Sequence, residues 1–357
     1  MHLLGADPLF SHGVDLWVVL IVIIKTVVTF AVLMVAVLFM VWYERKLISD
    51  MQNRIGPARA GGRFGILQSL ADGIKLFFKE DLLPERADKR VYRLAPYLSA
   101  VPAFLSFAIV PVGGAITIGT HETTLQLADP PVGILFLLAM SGISVYGVML
   151  AGWSSGSKYP LLGSVRASAQ MVSYEAALGL SIATVVLVAG SLSTRVIALD
   201  QAGAGPGGFL PDWNIIRLGV VPFVIFMIAA TAELNRPPFD LVEAEQELVG
   251  GFHTEYSSIR FALFFLAEFM NTVTMSAIIV TLFLGGPAGP IFFGPDWIWG
   301  PIWFVAKLFI FLFMFVWLRA TLPRFRYDQL MDFGWKVMIP LAVLNLMITA
   351  IVVVALQ

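Results

Sequence analysis

Cysteine is absent from the 357 residues of this chain, and that absence excludes several kinds of site. Without thiols there can be no disulfide and no thiolate-ligated iron–sulfur or zinc centre. The four histidines are scattered without the spacing of a ligand set, so no metal site is expected. They are His2, His12, His121 and His253. Any electron-transfer centre would have to come from a partner or from a bound small molecule.

Charge is also scarce. Only 13% of the residues are charged and 58% are hydrophobic, with a mean hydropathy of +0.85. That is too little charge to cover the surface of a soluble protein, and it predicts an all-α polytopic membrane protein. We expect a single transmembrane domain over residues 1–357, embedded in the lipid bilayer, and no nucleic-acid partner.

Eight apolar segments have about the length of roughly 20 residues that a helix needs to cross a bilayer. They are residues 16–41, 98–118, 132–151, 171–192, 215–232, 259–284, 302–318 and 337–356. The first segment has no basic region before it and no small-residue cleavage site after it. It is therefore interpreted as a retained span, and not as a removed signal peptide.

The distribution of lysine and arginine predicts the orientation of these spans. Of the 23 lysines and arginines, 18 lie in the loops that follow spans one, three, five and seven, and Arg260 is the second residue of span six, beside the loop after span five. Because cytoplasmic loops carry the excess of positive charge, these loops are predicted to be cytoplasmic. Both termini are then expected on the outer, periplasmic side.

The most basic loop, residues 44–96, contains a second type of helix. Residues 64–79 (FGILQSLADGIKLFFK) place apolar side chains three and four positions apart, with polar ones between them. This pattern predicts an amphipathic helix that lies in the plane of the membrane interface on the cytoplasmic side. From the pattern alone, a helix that merely rests on lipid headgroups is as good an interpretation as a functional one.

A dense acidic stretch lies in the cytoplasmic loop 232–258. Residues 232–256 (AELNRPPFDLVEAEQELVGGFHTEY) carry six carboxylates against the single Arg236, and Pro237-Pro238 must end the helix that precedes them. The carboxylates are Glu233, Asp240, Glu243, Glu245, Glu247 and Glu255. A run of charge is usually a hydrated loop. Here apolar residues alternate with the acids, which favours partly desolvated carboxylates that titrate together and pass protons.

Two further glutamates fall within predicted spans. Glu268 lies in the middle of span six, with no nearby lysine or arginine in its own helix to neutralise it. It must be protonated or paired across helices, and intramembrane acids of this kind favour a functional role over a packing role. Glu175 lies near the start of span four, where a glutamate is expected to face the interior of the bundle.

Seven segments together resemble one family of respiratory proteins. They are residues 44–46 (ERK), 52–57 (QNRIGP), 65–80 (GILQSLADGIKLFFKE), 157–175 (SKYPLLGSVRASAQMVSYE), 232–256, 261–271 (FALFFLAEFMN) and 319–336 (RATLPRFRYDQLMDFGWK). The chain is similar to the H subunit, the quinone-site membrane component of bacterial proton-translocating NADH:quinone oxidoreductase (complex I). The external loops match this family less well.

The resemblance implies a multi-pass protein of the bacterial inner (plasma) membrane that forms the membrane wall of a quinone chamber. Ubiquinone or menaquinone would be the substrate, while NADH, FMN and the iron–sulfur clusters would belong to peripheral partner subunits. Antiporter-like and small membrane subunits would be its neighbours. The residues carried over for quinone binding are Glu44, Arg45, Arg54, Asp72, Arg236, Phe252 and Arg319. Those carried over for proton transfer are Glu175, Glu233, Asp240, Glu243, Glu245, Glu247 and Glu268.

Two alternatives stay open from the sequence. The homologous membrane component of a proton-pumping hydrogenase has similar acidic loops without a quinone, although the basic first loop and its amphipathic helix favour quinone. A stand-alone proton-coupled transporter is the other. Transporters often contain internal repeats, and the unequal loops of this chain give no sign of one.

Overall fold

The computed structural model describes residues 7–10, 13–119, 121–203, 211–241, 245–292 and 295–356. These residues form a helical bundle with one small hairpin. The helices are α1 (Leu16–Met51), α2 (Gln68–Phe78), α3 (Lys89–Phe107), α4 (Gly133–Ser154), α5 (Lys158–Ala189), α6 (Thr194–Asp200), α7 (Asn214–Arg217), α8 (Val220–Glu233), α9 (Glu245–Leu248), α10 (Ser258–Phe283), α11 (Asp296–Thr321), α12 (Tyr327–Phe333) and α13 (Ile339–Leu356). Short 3₁₀ turns lie at Pro8–Phe10, Gly62–Phe64 and Gly251–His253, and a π-helical turn at Gly334–Met338 joins α12 to α13.

Within the described residues, six helices are long and apolar enough to cross a membrane. They are α1, α4, α5, α10, α11 and the continuous segment formed by α12 and α13, while α8 is apolar but shorter. The chain is therefore a polytopic all-α membrane protein, as its composition predicts. Eight crossings, with α3 and α8 as the other two and both termini outside, remain a prediction.

The second span was predicted at residues 98–118, and this placement is wrong. Helix α3 begins at Lys89, where the Asp88 side chain accepts hydrogen bonds from two backbone amides, and it ends at Phe107. Beyond it, Pro111 and Gly113-Gly114 interrupt the helix. Strand β1 (Ala115–Ile118) then pairs with antiparallel strand β2 (His121–Thr124), with Ala115 opposite Thr124. A hydropathy window could not separate an apolar helix from an apolar turn and strand.

The first loop also begins later than the predicted residue 44. Helix α1 continues to Met51, because no glycine or proline interrupts residues 42–51. Glu44 and Arg45 therefore lie on a helix. Where the sequence predicts an amphipathic helix at residues 64–79, the structure has the shorter α2, and its apolar side chains, including Phe77 and Phe78, are exposed.

Helix α5 begins at Lys158, well before the predicted start of span four at residue 171. Glu175 is consequently near the middle of a 32-residue helix and not at its head. Residues 158–170 contain serine, alanine and leucine with one proline in the first turn, where proline is compatible with a helix.

Helix α10 is the most buried of the six long helices, whereas the α12–α13 segment is the least buried. Close approach of neighbouring helices depends on small residues. A Cβ atom added at Gly147 of α4 would lie 2.3 Å from the Ser99 hydroxyl of α3, and one at Gly152 would lie 2.2 Å from the Ser164 hydroxyl of α5. Small residues at such crossings allow backbones to pack closely inside a membrane.

Both lysines in the predicted spans have partners near the end of the bundle that holds the β-hairpin. Lys25 Nζ lies 2.5 Å from Asp7 and donates to Thr123 of β2 at 3.0 Å. Lys307 donates to three backbone carbonyls, those of Leu284, Gly286 and Ala288, at 2.6, 3.1 and 2.7 Å. These contacts compensate the burial of two cations.

Candidate functional site

Four charged side chains from four separate segments meet at the opposite end of the bundle. The Arg236 guanidinium lies between two carboxylates: its Nη1 is 2.9 Å from Oε2 of Glu44, and its Nε is 3.0 Å from Oε1 of Glu268. Arg319 donates to the other oxygen of Glu44. We call these four residues the charge cluster. It contains two positive and two negative groups, so its charge is balanced.

The local sequence explains how Arg236 reaches this position. Helix α8 ends at Glu233, and Pro237-Pro238 prevents it from continuing. The turn is held by backbone hydrogen bonds from the amide of Arg236 to the carbonyl of Thr231 and from the amide of Phe239 to the carbonyl of Arg236. The guanidinium also lies over the ring of Phe269, 4.8 Å from its centroid.

Burial makes this cluster energetically important. Arg236 and Glu44 are almost fully buried, with side-chain exposures of 4% and 8%, whereas Glu268 and Arg319 are 26% and 32% exposed. Buried ions are stable only when each has a well-placed partner, and removing one partner leaves an uncompensated charge. The cluster can therefore respond strongly to any charge placed beside it.

A second ion pair lies next to the cluster. Asp240, which follows the proline pair, is 2.8 Å from Nη2 of Arg324 in the segment between α11 and α12. The backbone amide of Phe325 donates to the carbonyl of Pro238. Together these contacts join the acidic loop to the end of α11. Arg324 was not predicted, since only the fold brings it to Asp240.

A cavity of about 100 Å³ connects the cluster to a deeper carboxylate. Glu268 and Glu233 both line it. A smaller cavity is also lined by Glu233 and shares several of its lining residues. The Ser141 hydroxyl donates to Oε1 of Glu233, while Oε2 of Glu233 is buried with no hydrogen-bond partner among the described residues. Buried polar atoms of this kind are commonly satisfied by internal water.

Glu175 lies beside the same region. A Cβ atom added at Gly142 of α4, next to Ser141, would be 3.8 Å from Oε1 of Glu175. Glu268, Glu233 and Glu175 thus follow one another through the bundle along α10, α8 and α5. The structure therefore brings these three predicted residues into one region. Among the described contacts of Glu233, the groups that act on its carboxylate are Ser141 and Glu175, and neither is basic.

His253 and Phe252 form another part of the cavity wall. Burial lowers the pKa of the His253 imidazole to about 4, against the opposing effect of the Asp240 charge. The imidazole is therefore neutral at pH 7. Sequence reasoning assigned His253 no role, since a lone histidine without ligand spacing carries no local signal.

The remaining residues predicted for quinone binding divide into two groups. Arg45 and Asp72 form an ion pair that joins α1 to the amphipathic helix α2, and Gln68 supports it by donating to Asp72 at 3.1 Å. Arg54 lies apart from the charge cluster, exposed and 2.7 Å from Gln52.

Comparison with known proteins identifies the family. The family model described as NADH dehydrogenase matches residues 24–350, which include all the segments that carried the resemblance. The chain is 55% identical to the NADH-quinone oxidoreductase H subunit of Frankia alni, over 96% of this chain and 75% of that protein. It is 51% identical to the NADH-quinone oxidoreductase H 2 subunit of Koribacter versatilis, over 94% of this chain and 97% of the relative. The chain belongs to this H-subunit family.

In this member of the H-subunit family, the acidic loop is less enclosed than its sequence suggests. Glu247 is 60% exposed and pairs with Arg166 of α5 at 2.8 Å. Glu243 lies outside the described residues, and for Glu245 only the backbone of α9 is described. Within the described part of the chain, no group of three or more histidine, aspartate or glutamate side chains is arranged to hold a metal ion.

Proposed function

We propose that this H-subunit chain forms the membrane wall of a quinone chamber in NADH-quinone oxidoreductase and couples quinone reduction to proton translocation. The observation that carries the proposal is the buried charge cluster, which opens through the cavity onto Glu233. The family membership supports quinone as the substrate, and no observation favours the hydrogenase or the transporter alternative. Lacking cysteine, the chain supplies no thiolate ligands, so NADH, FMN and the iron–sulfur clusters are assigned to peripheral subunits.

The residues near the cluster suit a quinone headgroup. A quinone carbonyl accepts hydrogen bonds, and guanidinium groups such as those of Arg236 and Arg319 donate them. Phe252 adds an apolar wall. The exposed apolar face of α2, joined to α1 by the Arg45–Asp72 pair, faces away from the bundle where lipid or a partner would cover it. In our proposal α2 guides the isoprenoid tail, and partner subunits close the chamber.

Coupling follows from the balance of charge. Reduction of a quinone to a quinol takes up two electrons and two protons, so the product is neutral, but the headgroup is negative whenever electrons arrive before the protons. A transient negative charge would compete with Glu44 and Glu268 for Arg236. Loss of one ion pair is worth about 4 kcal/mol at an effective dielectric constant near 20. Moving one proton against about 150 mV requires roughly 3.5 kcal/mol, so the two quantities are comparable.

Glu268 is the member of the cluster that lines the cavity, and it is therefore the proposed start of the proton path. From Glu268 the path leads to Glu233 and then to Glu175. Asp240, Glu243, Glu245 and Glu247 would form the cytoplasmic end of the same acidic chain. Antiporter-like and small membrane subunits would receive the protonation change within the inner membrane.

Labelling with a photoreactive quinone analogue in the assembled complex tests the proposal. We expect cross-links on peptides from α1, α2 and residues 232–256, and their loss when excess quinone is added. Cross-links confined to other subunits would contradict the chamber assignment.

Matched arginine variants make this test specific. Arg236→Gln should weaken quinone binding at least about tenfold, since it removes a charged hydrogen-bond donor worth about 1.5–3 kcal/mol. Arg217→Gln is the control, because Arg217 forms an exposed ion pair with Asp200 away from the cluster. Equal labelling of the two variants would remove Arg236 from the binding site.

A further inference from the structure

Among the described residues, His253 is the one ionisable side chain on the cavity wall that the proposed function leaves unused. It ends the 3₁₀ turn Gly251–His253, in the last part of the acidic loop before α10. Its imidazole is held between two phenylalanine rings in edge-to-face contacts, with centroid distances of 5.1 Å to Phe252 and 5.3 Å to Phe261. These contacts fix the orientation of the ring.

The position of His253 places it between two sets of carboxylates. On one side, Glu268 and Glu233 line the same cavity as the imidazole. On the other, Asp240 is near enough for its negative charge to act on the ring. The imidazole lines the cavity and brings its two ring nitrogens to a wall that Phe252 and Phe261 otherwise make apolar. The ionisable groups around it are thus Asp240, Glu233 and Glu268.

A neutral imidazole has the chemistry that a proton relay needs. One ring nitrogen donates a hydrogen bond while the other accepts one. A proton can therefore bind at the accepting nitrogen as the proton on the other nitrogen leaves, and no oxidant or reductant is required. The apolar surroundings that keep the ring neutral at pH 7 also prevent it from storing a positive charge.

We propose that His253 relays protons between Asp240 of the acidic loop and the cavity carboxylates Glu268 and Glu233. The inference rests on the proposed coupling of quinone reduction to proton translocation and adds a residue to that path. In this role His253 connects Asp240, in the acidic loop between α8 and α10, with the carboxylates that line the cavity. The phenylalanine contacts hold the ring in place, and the cavity supplies the space through which the proton passes.

Two substitutions in the assembled complex separate relay from packing. His253→Phe retains an aromatic ring of similar shape without nitrogens, and His253→Gln retains polar atoms but exchanges protons poorly. We expect both variants to assemble and to keep the KM for quinone. Their coupled turnover, meaning proton translocation driven by NADH and quinone, should fall at least about tenfold through kcat. His121→Phe, at the distant hairpin, should behave as the native chain does.

The outcomes are distinct. Native coupled turnover in either variant would overturn the relay, because the first lacks nitrogens and the second lacks efficient proton exchange. Failure of both variants to assemble would assign His253 to the fold and also overturn it. Failure of the proposed function would look different: the complex with the native chain would itself show no quinone reduction or no proton translocation, whatever residue stood at position 253.

Discussion

The charge cluster predicts an order of stability between two glutamine variants. Glu44 contacts both Arg236 and Arg319 and has a side-chain exposure of 8%, whereas Glu268 forms its ion pair with Arg236 and is 26% exposed. Glu44→Gln removes two ion pairs from a buried site, while Glu268→Gln removes one from a partly hydrated site. We therefore expect Glu44→Gln to destabilise the protein more.

The magnitudes follow from the geometry. Each ion pair is worth about 4 kcal/mol at an effective dielectric constant near 20. A neutral glutamine avoids the cost of burying a charged carboxylate, and this offsets several kcal/mol of the loss. For Glu44→Gln the net loss should be about 3–5 kcal/mol, the usual range for removing one partner of a buried ion pair. For Glu268→Gln we expect about 1–2 kcal/mol, since solvent screens part of the interaction.

Thermal denaturation of the chain within the purified complex measures this difference. At about 2 °C per kcal/mol for a chain of this size, Glu44→Gln should lower the transition by about 6–10 °C and Glu268→Gln by about 2–4 °C. Glu122→Gln, an exposed change on strand β2, serves as the control. An equal shift for the two cluster variants, or a larger one for Glu268→Gln, would refute the reasoning.

Three further variants have defined outcomes. Glu247→Gln should change the free energy of unfolding by less than about 1 kcal/mol, because its pair with Arg166 is exposed. The same variant should lose most coupled turnover, and normal turnover would remove Glu247 from the proton path. The low pKa of His253 means that only the unfolded state gains this proton as the pH falls from about 6.5 to 4, so stability decreases over that window by about 3 kcal/mol. Calorimetry of His253→Phe should show a flatter pH dependence there, and an unchanged slope would assign the acid sensitivity to other groups. Lys307→Met should lower the free energy of unfolding by about 2–5 kcal/mol, since three carbonyls lose a charged donor. The KM for quinone, measured in the same preparation, should stay native.

Several features of the fold could be predicted because they depend on local pattern. The amphipathic helix α2 follows from apolar residues at three- and four-residue spacing, and the end of α8 follows from Pro237-Pro238. The second span was misplaced because residues 108–118 are apolar without being helical. Hydropathy measures preference for lipid, and it carries no information on whether an apolar segment turns back as a strand.

Part of the membership of the candidate site could be predicted, whereas Arg324, His253 and the arrangement of the charges could not. Glu44, Arg236 and Arg319 could be selected by resemblance, but nothing local indicates that Glu44 accepts from both arginines across 192 and 275 residues of sequence. The prediction that Glu268 is protonated or paired across helices left open which alternative holds, and the structure pairs it with Arg236. Glu247 is exposed and His253 lines the cavity, and neither placement follows from local sequence.

The sequence by itself determined that this chain belongs in a membrane, lacks thiolate-bound redox centres and concentrates its positive charge in alternate loops. These conclusions depend on composition and on the spacing of residue types, which are properties of single segments. Only the tertiary structure decided which charges meet, which carboxylates open onto the cavity and which face solvent. Pairings across long stretches of chain arise from the packing of whole helices, and the burial that gives each charge its chemistry exists only once those helices have come together.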